Sequence, residues 1–240
     1  MNFVMLRRPL SIDRVRDGGA YVLPDAALTQ TNLFLRIGRF DDLFIKLPTE
    51  RGLADYRRFI KLAESNPEDV RTLEEAERFE NLSHTLKGFS DTAPGAATDL
   101  ETVHYLAVHR LQYLRLQGQT AVRIPRTKFG ILGTTRFRIL RKAHPALFQE
   151  RVPGTTLWDM FDFDNLQIKA QWRQHLPAVS AQLSQLLASG LREHIDWNIQ
   201  NFIFNQTDER LYYVDLKPTT YLARSSNEHN LQGIRDYLVV

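Results

Sequence analysis

A chain of 240 residues, 43% apolar and without cysteine, is long enough to bury a core and must hold it without disulfides. The missing cysteine excludes thiolate catalysis, Cys-ligated zinc and iron–sulfur clusters. No apolar run approaches the roughly 20 residues that span a bilayer, and the opening MNFVMLRRPLS is too short in apolar residues for a secretory leader, so a soluble cytoplasmic protein is expected. The formal charge is +3, unevenly spread. Residues 102–149 carry nine basic side chains (Arg110, Arg115, Arg123, Arg126, Lys128, Arg136, Arg138, Arg141, Lys142) and no acid, which leaves −6 for the rest. Such a segment is either a solvated surface with counter-charges from elsewhere in the fold, or a face for an anionic or protein partner, nucleic acid included.

In chain order, strands are predicted over 32–37 and 42–47, joined through Gly38 as a hairpin. Helical spacing of Tyr56, Phe59, Ile60 and Ala63, then Pro67 followed by Glu68 and Asp69, predicts two helices over 51–87. The stretch 88–98 is turn-rich. Asp99 then caps a helix whose apolar stripe (Leu100, Val103, Ala107, Leu111, Leu114) runs until Gly118. Short strands are expected over 128–132, 136–140 and 146–152, with turns at Gly133 and at His144-Pro145. With the early hairpin they make one mostly antiparallel sheet. After Pro153-Gly154 come a short helix over 156–161 and a longer one over 168–189, bent or divided by Pro177 and stopped by Gly190. Two brief strands follow, over 202–204 and 211–214. The pattern is α+β in two lobes, 1–152 and 153–240.

Chemistry concentrates in His194-Ile-Asp196-Trp-Asn-Ile-Gln-Asn201 and in Tyr212-Tyr-Val-Asp215-Leu-Lys217. A phosphoryl donor needs a divalent ion on its oxygens, and Asp carboxylate and Asn amide oxygens suit Mg²⁺; a further carboxylate must orient or deprotonate the attacking hydroxyl. Asp196, Asn201 and Asp215 supply that set, and a hairpin of 202–204 with 211–214 brings Asn201 and Asp215 to the same end of the strand pair. An H-x-D-x-x-x-x-N spacing arises by chance about 0.02 times per chain of this composition. Upstream, alternation puts Asp42, Phe44 and Lys46 on one strand face and Leu43, Ile45 and Leu47 on the other. His104 and His109, five apart, do not share a helix face as metal ligands would, and Trp158, Trp172 and Trp197 are read as packing residues.

These residues resemble the catalytic loop (H-R-D-x-x-x-x-N) and metal element (D-F-G) of the protein-kinase-like superfamily, here H-I-D-x-x-x-x-N and D-L-K. Phe148-Gln-Glu-Arg-Val-Pro153-Gly154 resembles its strand, inter-lobe hinge and following helix, especially in the small-molecule and bacterial branches, and Leu43-Phe-Ile-Lys46 its phosphate-lysine strand. The closing Asn230-Leu-Gln-Gly-Ile-Arg-Asp-Tyr is similar to a terminal helix of compact lipopolysaccharide-sugar kinases. The resemblance implies an antiparallel N-lobe sheet, a short helical C-lobe, and ATP with Mg²⁺. It assigns Asp196 to the acceptor hydroxyl, Asn201 and Asp215 to the metal, Lys46 to the donor phosphates, and the backbone of Glu150, Arg151 and Val152 to adenine. Glu101 is the lysine's partner, with Glu77 and Glu80 as rivals.

The sequence also departs from the family pattern. No G-x-G-x-x-G precedes Lys46, with only Gly18-Gly19 as a substitute; Lys217 replaces the third-motif glycine, and 25 residues follow Asp215, so no activation segment is expected. Acceptor selection then falls to the basic segment, to 51–98 or to a partner protein. The expected activity is phosphorylation of a small-molecule, glycolipid or protein hydroxyl, with AMP transfer open on the same scaffold. The alternatives are a pseudokinase-like binding scaffold and a nucleic-acid-binding protein using 102–149.

Overall fold

The computed structural model describes residues 4–5, 11–15, 19–24, 43–46, 109–110, 112–118, 121–136, 139–216 and 224–239. The expectations at 32–37, at 51–98 and at Glu101, Gly18 and Lys217, and most of the helix from Asp99, lie outside the described residues. The chain divides into two compact units, 1–111 with 126–151, and 112–125 with 152–240. It mixes helix and sheet as an α+β chain does, and among the described residues no helix is long and apolar enough to cross a membrane.

The first unit holds a five-stranded sheet built from β1 (Val4–Met5), β2 (Gly19–Pro24), β3 (Leu43–Lys46), β4 (Thr127–Arg136) and β5 (Ile139–Glu150), in the order β1-β2-β4-β5-β3. β3, β5 and β4 pair antiparallel, as expected. β2 joins β4, and β1 joins β2, in parallel, so the sheet is mixed: the antiparallel pairing expected for most of it holds for β3, β5 and β4 and not for β1 and β2. Parallel neighbours need a crossover of a dozen or so residues. The chain supplies one between β1 and β2, passing through a 3-10 turn at Ile12–Arg14, and a far longer one between β2 and β4. β2 is thereby separated from β3 by two strands, so its leading Gly19 does not cover the Lys46 strand. Leu43, Ile45, Phe129, Leu132, Leu147 and Phe148 form the unit's interior.

Neither Gly133 nor His144-Pro145 is a turn. β4 runs through Gly133, which pairs with Ala143, and β5 runs through Pro145, which pairs with Ile131. Proline survives in a strand where it need not donate to a neighbour. β3 reaches only 147–150 of β5, so among the described residues the Pro145 segment has β4 on one side and no strand on the other. The reversal falls instead between Arg136 and Ile139, with a register shift between Thr134 and Thr135.

The second unit begins with β6 (Thr155–Thr156) and α1 (Leu157–Met160). Thr156 caps α1 by accepting the Asp159 N–H at 3.1 Å. A hairpin of β7 (Phe161–Asp162) and β8 (Gln167–Ile168) follows. Two-residue strands carry no readable period, and this hairpin has no counterpart in the sequence expectations. Pro177 divides the expected long helix. A 3-10 segment, Ala170–His175, precedes α2 (Leu176–Ala188), which has proline in its first turn, where no N–H is needed. Val179, Leu183 and Leu186 bury one face of α2, and Gly190 ends it at φ 75°. β9 (Phe202–Asn205) and β10 (Arg210–Tyr213) form a hairpin to which β6 adds a third strand, and α3 (Arg224–Leu238) closes the unit. The core gathers Leu157 and Met160 of α1, Leu183 of α2, Phe202 and Phe204 of β9, Tyr213 of β10, Ile234 of α3 and the intervening Trp197.

Gly154, at φ 141°, is where β6 starts, and a Cβ there would lie 2.3 Å from the Phe204 carbonyl oxygen. Glycine is required so that the chain leaving Pro153 can reach β9.

Candidate active site

The segment carrying Asp196 is set by its neighbours. Ile195 and Trp197 are fully buried, and Trp197 stacks on Phe202 with ring centroids 5.9 Å apart. The Trp197 indole Nε1 donates to the Arg192 carbonyl at 2.9 Å. Asn227, from α3, reads the backbone on both sides of Asp196: its Oδ1 accepts the Trp197 N–H at 2.9 Å and its Nδ2 donates to the Ile195 carbonyl at 3.1 Å. The Asp196 N–H donates to the Tyr213 hydroxyl at 3.0 Å. Asp196 itself is 7% exposed, and its Oδ1 accepts the Asn198 N–H at 3.1 Å, which turns the chain into the 3-10 segment Ile199–Asn201.

His194 is tied from the other side. In the helical stretch 112–116, Gln112 Nε2 donates to the His194 carbonyl and Arg115 Nη1 lies 3.4 Å from the imidazole Nδ1.

The hairpin register brings two expected ligands together. Phe202 faces Tyr213, and one step beyond, the Val214 N–H donates to the Asn201 carbonyl at 2.9 Å, so Asn201 and Asp215 share that end of the strand pair. Both are half-buried. Asn201 Nδ2 donates to the Asp196 carbonyl at 3.4 Å. The fully buried Tyr213 phenol has its pKa pushed well above the usual value, first by burial and then by the Asp215 carboxylate, with Asp196 adding to it; only the Asp196 N–H opposes. A neutral phenol thus feels both carboxylates, and its oxygen holds the loop bearing one of them.

Among the described residues no three His, Asp or Glu side chains gather as a metal cluster. Asn201 and Asp215 offer one amide oxygen and one carboxylate, hard donors of the kind that suits Mg²⁺ shared with substrate phosphates.

The hairpin's far end is anchored by a residue with no sequence signature. Gln182 of α2 is 8% exposed; its Nε2 donates to the Ala178 and Glu209 carbonyls, each at 3.0 Å, and its Oε1 accepts the Leu211 N–H at 2.9 Å. All its strong groups are satisfied inside the unit, so hairpin and helix are fixed as one piece.

Lys46, Glu150 and Arg151 belong to the first unit and Val152 to the second. Lys46 is only 7% exposed although β3 is the last strand of its sheet, so it is not a solvated edge lysine. Cross-strand pairs share a face, and the registers Phe44 with Gln149 and Lys46 with Leu147 place Lys46 and Gln149 on one side of the sheet. Gln149 is 2% exposed, and its Nε2 has no hydrogen-bond partner among the described residues. Sequence reasoning missed it because glutamine in a strand looks like an ordinary surface residue. At Glu150 the backbone N–H is committed to the Arg126 carbonyl at 2.8 Å, and the carboxylate accepts from Arg126 Nε and Nη2, each at 3.0 Å. Arg151 is exposed and Val152 buried.

Two cations of the acid-free segment carry acidic partners in the fold. Arg126 also meets Asp13 at 2.6 Å, and Arg123 meets Asp208 at 3.2 Å. The Arg126 pKa is raised, chiefly by its bonds to Glu150 and then Asp13. Neither guanidinium is a bare phosphate ligand.

No family model matches the chain, and no curated protein or solved structure matches it either.

Proposed function

We propose that this chain is an ATP- and Mg²⁺-dependent phosphotransferase with a two-lobed, protein-kinase-like build, acting in the cytoplasm on a hydroxyl of a small-molecule, glycolipid or protein acceptor. The observation that supports this most is the hairpin register. It sets Asn201 beside Asp215 at one end of the strand pair, and the Asn201 amide and the Tyr213 hydroxyl both hold the backbone of Asp196.

In this reading Asp196 accepts the acceptor's hydroxyl proton as the new P–O bond forms and the bond to the ADP leaving oxygen breaks. Asn201 and Asp215 hold the metal, which supplies charge neutralisation on the donor phosphates. Lys46 binds those phosphates. The Arg151 and Val152 backbone receives adenine, the Glu150 amide being already engaged. Catalysis then rests on positioning and charge rather than covalent chemistry.

Incubation with γ-labelled ATP and a panel of sugar, lipid and protein acceptors tests it. Asp196→Ala should abolish transfer while ATP affinity stays within about threefold, because the residue touches the acceptor and not the donor. Transfer by Asp196→Ala equal to the parent overturns the assignment.

A further inference from the structure

One exposed surface of the second unit has no part in the proposed chemistry. Trp158 of α1 is 44% exposed, Phe163 42%, Leu166 53% and Tyr237 of α3 42%. They are one patch and not scattered residues: Trp158 and Phe163 have ring centroids 4.1 Å apart, Phe163 lies 4.9 Å from Phe161, and Phe161 lies 5.8 Å from Tyr237. Phe161 is buried and anchors the other rings. Leu166 holds φ 51°, a left-handed conformation costly for a branched side chain, and the turn displays an exposed leucine there. Contiguous exposed aromatic surface on a soluble unit marks an interaction site.

Charge selects the occupant. The stretch 158–169 carries Asp159, Asp162 and Asp164 against Lys169 alone, and the Lys169 Nζ is engaged with the Asp159 carbonyl at 2.8 Å. Asp162 is held ionised by the Asn165 side chain and the Asn165 and Asp164 amides, which lower its pKa despite opposing desolvation. An anionic lipid surface is repelled by these carboxylates, and a symmetric pairing of two copies through this patch sets like charges against each other. Trp158 and Phe163 touch, which leaves no gap between those two rings to cage a small cation; recognition is across their outer faces. Arginine and lysine combine an aliphatic stem, a cation for ring faces and a charge for carboxylates.

We infer that the face formed by Trp158, Phe163, Leu166 and Tyr237 docks a cationic, aliphatic-rich peptide segment of a partner protein. The inference does not rest on the phosphotransferase reading.

The test is fluorescence anisotropy with the full chain and a short labelled peptide alternating arginine and leucine, compared with its glutamate–leucine counterpart. The parent should bind the basic peptide, more weakly as salt rises, and not the acidic one. Trp158→Ala with Phe163→Ala should weaken binding about tenfold or more, as truncation of central aromatic anchors does. Asp164→Lys, which keeps every ring, should weaken it separately. Circular dichroism confirms that the variants fold, which is expected because the altered side chains are exposed. Equal binding by parent and both variants, equal binding of the two peptides, tighter binding to phosphatidylserine vesicles, or a concentration-dependent dimer abolished by the double variant would each overturn the inference.

Discussion

Replacing Tyr213 by phenylalanine removes one oxygen from the middle of the second unit. The ring is fully buried and packs 5.4 Å from Phe202, so its apolar contacts persist, but the Asp196 N–H loses its acceptor. A buried donor left unsatisfied costs about 1–3 kcal/mol. Taking about 2 kcal/mol, and about 2–4 °C per kcal/mol for a chain of this size, the melting transition should fall by about 4–8 °C. Tyr212→Phe is the control. Its hydroxyl lies in the outward cluster with Asp208 at 2.8 Å and Arg123 at 3.2 Å, where solvent screens the loss, and it should cost less than about 1 kcal/mol.

The pH dependence adds a signature that packing alone lacks. The Tyr213 phenol ionises near pH 10 in the unfolded chain and well above that in the fold. Above about pH 10 the unfolded state releases a proton that the folded state keeps, so the parent loses up to about 1.4 kcal/mol per pH unit there, and the phenylalanine variant does not lose this share. Denaturant titrations at pH 8, 9, 10 and 11, chosen to bracket the usual tyrosine range of about 10, should show the gap between parent and Tyr213→Phe narrowing at the alkaline end. A constant or widening gap, or an equal effect of Tyr212→Phe, would refute this account of the loop's anchorage.

Gly154→Ala should destabilise by about 3 kcal/mol or more although the residue is exposed, since its Cβ meets the Phe204 backbone; Gly233→Ala, with open space around it in α3, should stabilise by about 0.5–1 kcal/mol. Thermal melts of the two variants check both signs. Gln149→Met should leave stability unchanged or higher, because it deletes an unsatisfied buried donor, and a fall of more than about 1 kcal/mol would show that the amide has a partner. Asn227→Ala should cut labelled-phosphate transfer at least tenfold while the second unit stays folded by circular dichroism, as it removes the clamp on Ile195 and Trp197; unchanged transfer would separate the clamp from the site.

What the sequence disclosed was local. The brief strands expected over 202–204 and 211–214 match β9 and β10 to within a residue at each end, and Pro177 and Gly190 marked the start and stop of α2. Gly133 and Pro145 misled because breaker residues report local preference: glycine keeps its ladder bonds, and Gly133 is paired on both sides of β4, whereas Pro145 lies where β5 has a neighbour on one side among the described residues. The parallel joining of β1 and β2 depends on which distant strand they meet, and a single strand's pattern does not encode its partner's direction. The same holds for the supports of the site. Asn227, Gln112 and Gln182 each reach groups 27 to 82 positions away, and nothing in their own surroundings announces it. Trp158, read as a packing residue, is half in solvent because α1 turns it outward beside Phe163.

The most direct measurement is calorimetric titration of the full chain with ATP, with and without Mg²⁺, comparing the parent with Asp215→Ala. The account predicts metal-dependent binding by the parent and its loss in the variant, with metal-independent binding equal in both. Absence of ATP binding in the parent, or Mg²⁺-dependent binding undiminished in Asp215→Ala, would contradict it.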